Sequence, residues 1–145
     1  MIQIQGVDTS LGLASANHNE ALYRRLLAKF CQIEAAFAHR CRDMIAADRT
    51  HDLRRQAHDL HSTGAALGAL EVAELAATLE AATTQGLMGK PLLDLVDAID
   101  ARLAPVLAAM AAALEAPALP QRFAQMQDLV FMARAESPAR AGLWR

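Results

Sequence analysis

The chain has 145 residues, a length that suits one domain, and it is 54% hydrophobic but only 4% aromatic, with alanine and leucine dominant. That is the composition of a helix former with a sizeable core, not of a strand former. A net charge of −2, with no block of like charge, gives no support for a nucleic-acid-binding role.

The elements are read in chain order. Asp8 can cap a short first helix that carries Leu11 and Leu13, and Asn17, His18 and Asn19 break it and can cap the next. From Glu20 to about Ala47 the pattern predicts one long helix, with Leu22, Leu26, Phe30, Ile33, Phe37, Cys41 and Met44 at spacings of three and four. Arg24, Arg25, Lys29, Arg40 and Arg42 fall mostly off that stripe and read as its wet face. Asp48 can cap a third helix, from about Arg49 to Leu67, with Leu53, Ala57, Leu60, Gly64 and Leu67 facing the core. Gly68 ends it as a C′ glycine. A fourth helix spans about Leu70 to Thr84, with Val72, Leu75, Ala76 and Leu79 inward.

Gly86 and Gly89 mark the next turn, and Pro91 sits where a first-turn proline is tolerated. The fifth helix carries Leu92, Leu95, Val96, Ile99, Leu103, Val106, Leu107, Met110 and Leu114, and Pro105 should kink or split it. Beyond Ala116, prolines punctuate a tail, 117–145. Its apolar stretch (Phe123, Met126, Val130, Phe131 and Met132) reads as an extra helix on the bundle or as a docking segment, followed by loose final residues. Tyr23 and Trp144 carry no signal. With no strand-like alternation and no repeat, the expected fold is all-α. It is an antiparallel up-down four-helix bundle over residues 1–116, with a short N-terminal helix.

Cys31 and Cys41 lie ten residues apart in one helical pattern. That separation spans roughly 15 Å, beyond the roughly 7 Å that a disulfide tolerates. They read as reduced thiols, which suits a reducing compartment. Residues 1–6 have neither a basic nor an apolar signal region, and no apolar run reaches the roughly 20 residues of a membrane span. The expectation is a cytoplasmic soluble protein.

The third helix carries the chemistry. At 100° per residue, His58 points roughly 140° away from the core stripe, toward solvent. His51, Arg55, Ser62 and Ala65 share that outer face, with Arg54 and His61 at its edges. Ser62 and Ala65 are small and leave space above the imidazole, and Arg54 and Arg55 supply positive charge one turn back. A neutral imidazole nitrogen is a covalent nucleophile, and histidine's ordinary pKa of about 6.5 leaves much of it neutral near pH 7. An exposed imidazole with low surroundings and nearby cations suits phosphoryl carriage between two proteins. His51, His58 and His61 could also suggest metal, but no cysteine or acidic residue completes a zinc spacing around them, so no metal site is expected.

Residues 57–80 read AHDLHSTGAALGALEVAELAATLE. This resembles the histidine phosphotransfer (HPt) domain, whose helix carries a pattern like A-H-x-L-K-G-x-A-x-x-L-G-A before an apolar-small run ending in L-E. Ala57, His58, Leu60, Leu67, Gly68, Ala69, Leu70, Ala73, Leu79 and Glu80 match. Gly6-Val7-Asp8 and the run from Asn19 to Phe30 look like the lead-in of such domains, so the resemblance covers roughly residues 4–115. It implies that His58 is the phosphorylated residue. It implies as partners the receiver domain of a hybrid histidine kinase and a downstream response regulator. It implies no cofactor on this chain, with magnesium held by the receiver.

Two positions depart from the pattern: His61 stands for the usual lysine and Ser62 for the usual glycine. His61 would help a phosphoryl charge more weakly and in a pH-dependent way, and Ser62 adds a hydroxyl where space is wanted. The expected role is a phosphocarrier without autokinase activity, since no glycine-rich ATP loop or kinase Asp/Asn pattern is visible. The alternative is a helical adaptor that binds receiver or kinase domains without being phosphorylated.

Overall fold

Two long-range contacts fix the start of the chain before any bundle packing is considered. The Asp8 N–H donates to the Gly68 carbonyl at 2.8 Å, and the Tyr23 hydroxyl donates to the Leu67 carbonyl at 2.8 Å. Both acceptors lie at the end of one helix, where carbonyls lack intrahelical partners. The computed structural model describes residues 2–115. Among these there are six helices and no strand: α1 Thr9–Ser15, α2 Glu20–Glu34, α3 Phe37–Ala46, α4 Thr50–Leu67, α5 Leu70–Thr84 and α6 Lys90–Glu115. The tail reading for 117–145, and with it Trp144, lies outside the described residues.

Asp8 caps α1 by accepting from Leu11 N–H, and Asn19 caps α2 by accepting from Leu22 N–H, both at 3.0 Å. Asp48 is not the cap of α4. It sits at φ +59 just after α3, where its N–H meets the Ile45 carbonyl and the Arg49 N–H meets that of Met44. That is a Schellman end, and an aspartate tolerates its left-handed residue better than most side chains do.

The long second helix expected from Glu20 to Ala47 is two helices. The break at Ala35 and Ala36 has no Gly or Pro to announce it. Arg40 is placed to stabilise it: its guanidinium donates to the Ile33 carbonyl at 2.7 Å, to Glu34 Oε1 at 2.9 Å and to Gln56 Oε1 at 2.9 Å. The side chain thus serves a carbonyl that a continuous helix would give to the Phe37 N–H. The core face is also rotated from the expected stripe. Tyr23, Leu27, Phe30 and Glu34 are buried, while Leu26 and Ile33 are exposed. Tyr23, read as carrying no signal, is fully buried. Burial first, and the Asp8 carboxylate second, push its phenol above the ordinary value, so it stays a donor.

Glu34 is the one acidic side chain buried among the described residues, at 7% exposure. Desolvation pushes its carboxyl upward although Arg40 pulls the other way. The folded chain therefore keeps a proton that the unfolded chain has lost. Stability should fall as pH rises from the ordinary glutamate range through the raised value. A Glu34→Gln variant lacks that fall. Urea unfolding between about pH 4 and pH 8 should show the native protein losing ground to the variant as pH rises. A widening advantage for the native protein would mean that the Arg40 pairing outweighs burial.

The α4 stripe is as expected, with Leu53, Ala57, Leu60, Gly64 and Leu67 all buried. In α5 the buried set is Val72, Ala73, Ala76, Leu79, Ala82 and Thr83, with Leu75 only half-buried. α6 contributes Leu92, Val96, Ile99, Leu103, Val106 and Met110 to the same core. Each fully buried aliphatic side chain is worth about 1.5–3 kcal/mol relative to exposure. Pro105 does not end α6. The N–H it lacks would serve the Ala101 carbonyl, and both residues are exposed, so water can take that acceptor. Ile2 and Ile4 also enter the core. Both cysteines are free, and burial pushes the Cys41 thiol up to about 12, so it remains a neutral core group. No helix among the described residues is long and apolar enough to cross a membrane.

Candidate functional site

α4 packs against α1, α2, α3 and α5, so its outer face is narrow and rigidly held. Its closest partner in chain order, α5, follows after Gly68 and Ala69. Gly68 takes φ +95 and closes α4 with the Ala69 N–H on the Gly64 carbonyl. The chain then returns along α4. Gly64 lies against Ala73, His58 meets Glu80, and Arg54 meets Thr83. The small side chains at the first of these pairs let the two helices approach, and the register follows from there.

His58 stands on the outer face with its side chain 59% exposed. Its Nδ1 lies 2.9 Å from Glu80 Oε2. A proton on Nδ1, donated to that carboxylate, fixes the ring and leaves the lone pair on Nε2. Nε2 makes no hydrogen bond among the described residues. His61, one turn on, turns its Nδ1 toward the other carboxylate oxygen, Oε1, at 3.6 Å. That is beyond hydrogen-bond reach, and the nitrogen is shielded from solvent, so it has no hydrogen-bond partner. The two imidazoles stand edge to face, centroids 6.5 Å apart.

The other expected site residues divide into two groups. Arg55 is exposed, with Nη2 3.4 Å from His51 Nε2, and Ser62 is exposed and Ala65 half-buried, which leaves the space beside His58 low. Arg54 is committed elsewhere. Its guanidinium donates to Thr83 Oγ1 at 3.2 Å and to the Thr83 carbonyl at 3.3 Å, at the end of α5. It caps that helix end through neutral acceptors, which hold the side chain in place and leave its charge uncompensated. His61 likewise faces Glu80 and does not stand in the place of a free lysine.

Glu80 is the residue that sequence reasoning missed as a functional group. It entered only as the last match of the family pattern, 22 residues from His58. Here its carboxylate, 28% exposed, sits between two imidazoles. The expectation that no acidic residue completes the histidine cluster is therefore corrected: His58, His61 and Glu80 each offer a donor atom within 4.8 Å of the others. Asp52 and Asp59, the nearer acids in sequence, are not part of it. Beside His61, between α4 and α5, an open groove is lined by Ala65, Leu70, Ala73, Glu74 and Thr78. Comparison of the chain with protein-family models, with curated proteins and with solved structures finds no match.

Proposed function

We propose that the chain is a phosphocarrier of the histidine phosphotransfer kind, an antiparallel up-down four-helix bundle in which α2 and α3 together make one of the four and α1 is added. Its Nε2 nitrogen on His58 exchanges a phosphoryl group with the aspartate of a receiver domain. The observation that carries this reading is the orientation of His58. An exposed imidazole on a rigid helix is tied by Nδ1 to Glu80, and that directs the nucleophilic lone pair to Nε2. The resemblance of residues 57–80 to the HPt pattern supports it.

In the transfer step the Nε2 lone pair attacks the phosphorus of the aspartyl phosphate. An N–P bond forms and the acyl O–P bond breaks, releasing the partner's carboxylate. The Nδ1 proton stays on the hydrogen bond to Glu80, which favours the positive charge the ring develops. The low surroundings given by Ser62 and Ala65 admit the partner. Magnesium and the aspartate belong to the receiver domain, since phosphoryl transfer is mostly positioning and electrostatics. The kinase that loads the system and the response regulator that drains it are the partners of this reading, and the cytoplasm is where they meet.

The test is a time course with a phosphorylated receiver domain, following acid-labile, base-stable phosphate on the chain beside a His58→Gln control. Label on the native chain alone supports the carrier. Binding of the receiver with no label on the native chain would favour the adaptor instead.

A further inference from the structure

We propose that His58, His61 and Glu80 form a three-ligand site for one divalent cation of the zinc class. The donor set is two imidazole nitrogens and a carboxylate, brought together from α4 and α5. Borderline nitrogen donors select zinc, copper or nickel over magnesium or calcium, which want mostly oxygen ligands. In a tetrahedral zinc site with bonds near 2.0–2.2 Å, neighbouring donors stand about 3.3–3.5 Å apart. His61 Nδ1 and Glu80 Oε1 are already 3.6 Å apart, too far to hydrogen-bond and close to that spacing. The 2.9 Å contact of His58 Nδ1 is with the other oxygen, Oε2, so a turn of the carboxylate must bring one oxygen between both imidazoles as the hydrogen bond gives way to metal, the three donors already lying within 4.8 Å of one another. Three ligands leave one position for water, and the exposure of His58 leaves it open to solvent.

The His61 nitrogen makes the site more than a chance meeting of polar groups. It is shielded from solvent and lacks a hydrogen-bond partner, a state that costs free energy and that a cation would relieve. Lysine, the residue of the resembling pattern at this position, could not bind metal in this way while charged. The departure at His61 thus creates the second ligand. A cation on His58 Nδ1 would displace the proton there, and the neutral imidazole would then carry its proton on Nε2, with no lone pair left to attack phosphorus. Zinc should therefore slow phosphoryl acceptance. That consequence rests on the carrier reading; the binding itself does not.

The test is calorimetric titration of the full metal-free chain with zinc chloride near neutral pH, with no receiver domain present. One zinc per chain is expected, accompanied by a rise in thermal midpoint. His61→Ala and Glu80→Gln should each weaken binding by about tenfold or more, because each removes one of only three ligands. His39→Ala should bind as the native chain does, since among the described residues the His39–Asp43 pair is the other place where an exposed histidine meets a carboxylate. Circular dichroism of each variant is expected to show the native helix content, since both side chains are only partly buried. Absence of saturable binding up to millimolar zinc would overturn the proposal. So would binding that survives both substitutions or that disappears in His39→Ala.

Discussion

Gly68→Ala is expected to destabilise the fold by about 3 kcal/mol or more, and Gly86→Ala by only about 1 kcal/mol. Both glycines end a helix at positive φ, +95 and +83, so both variants carry the penalty of a left-handed residue. They differ in what a methyl group would meet. At Gly86 nothing lies within 4 Å. At Gly68 the new Cβ falls on the Asp8 backbone, with its carbonyl oxygen first in the way. Backbone cannot turn aside as a flexible side chain can. The Asp8 segment must therefore retreat, and the hydrogen bond from the Asp8 N–H to the Gly68 carbonyl goes with it. Gly12 is locked into the same place, since a Cβ there would strike the Leu67 carbonyl and the Tyr23 ring. Chemical denaturation of the two alanine variants measures the difference, which isolates the close approach from the conformational term. Equal losses would mean that the N-terminal segment docks loosely and that Gly68 matters only for its φ.

That junction shows where the sequence was legible and where it was not. Gly68 as a C′ glycine follows from local chemistry and needs no tertiary knowledge. Its second duty, admitting the Asp8 backbone, depends on a contact 60 residues away and leaves no local mark. The same division runs through the helices. The α4 stripe from Leu53 to Leu67 could be read because only one face of that helix is apolar. α2 carries leucines on two faces, and the Tyr23 hydroxyl reaching Leu67 favours burial of Tyr23 and Leu27 over Leu22 and Leu26. The break at Ala35 and Ala36 is hidden because Arg40, which serves the Ile33 carbonyl there, reads as an ordinary wet-face arginine. At the site, the outward direction of His58 comes from the 3.6-residue period alone. The partner Glu80 needed the register of α5 on α4. Arg54 shows the converse, a residue whose side chain the tertiary fold turns to the Thr83 hydroxyl and carbonyl, contacts that leave no mark in the local sequence.

Substituting His58 by glutamine should abolish phosphoryl acceptance, while substituting Glu80 by glutamine should only slow it. The amide of glutamine has no nucleophilic lone pair, so no N–P bond can form, yet its size and polarity suit an exposed helical position. Stability should change by no more than about 0.5 kcal/mol, and receiver binding should persist. Glu80→Gln is a different perturbation. The amide oxygen can still accept from His58 Nδ1, so the tautomer with its lone pair on Nε2 survives. What is lost is the negative charge that favours the cationic character the ring acquires as the N–P bond forms. Carboxylates that orient metal-bound imidazoles are typically worth 10–100-fold, and a slowing of about tenfold is expected here. Rapid-quench measurement of label transfer from a phosphorylated receiver separates the two effects. Label on His58→Gln would place the acceptor elsewhere, with His61 the first candidate. A Glu80→Gln variant as fast as the native chain would mean that exposure on a rigid helix suffices, and that the carboxylate between the two histidines serves some other purpose than phosphoryl transfer.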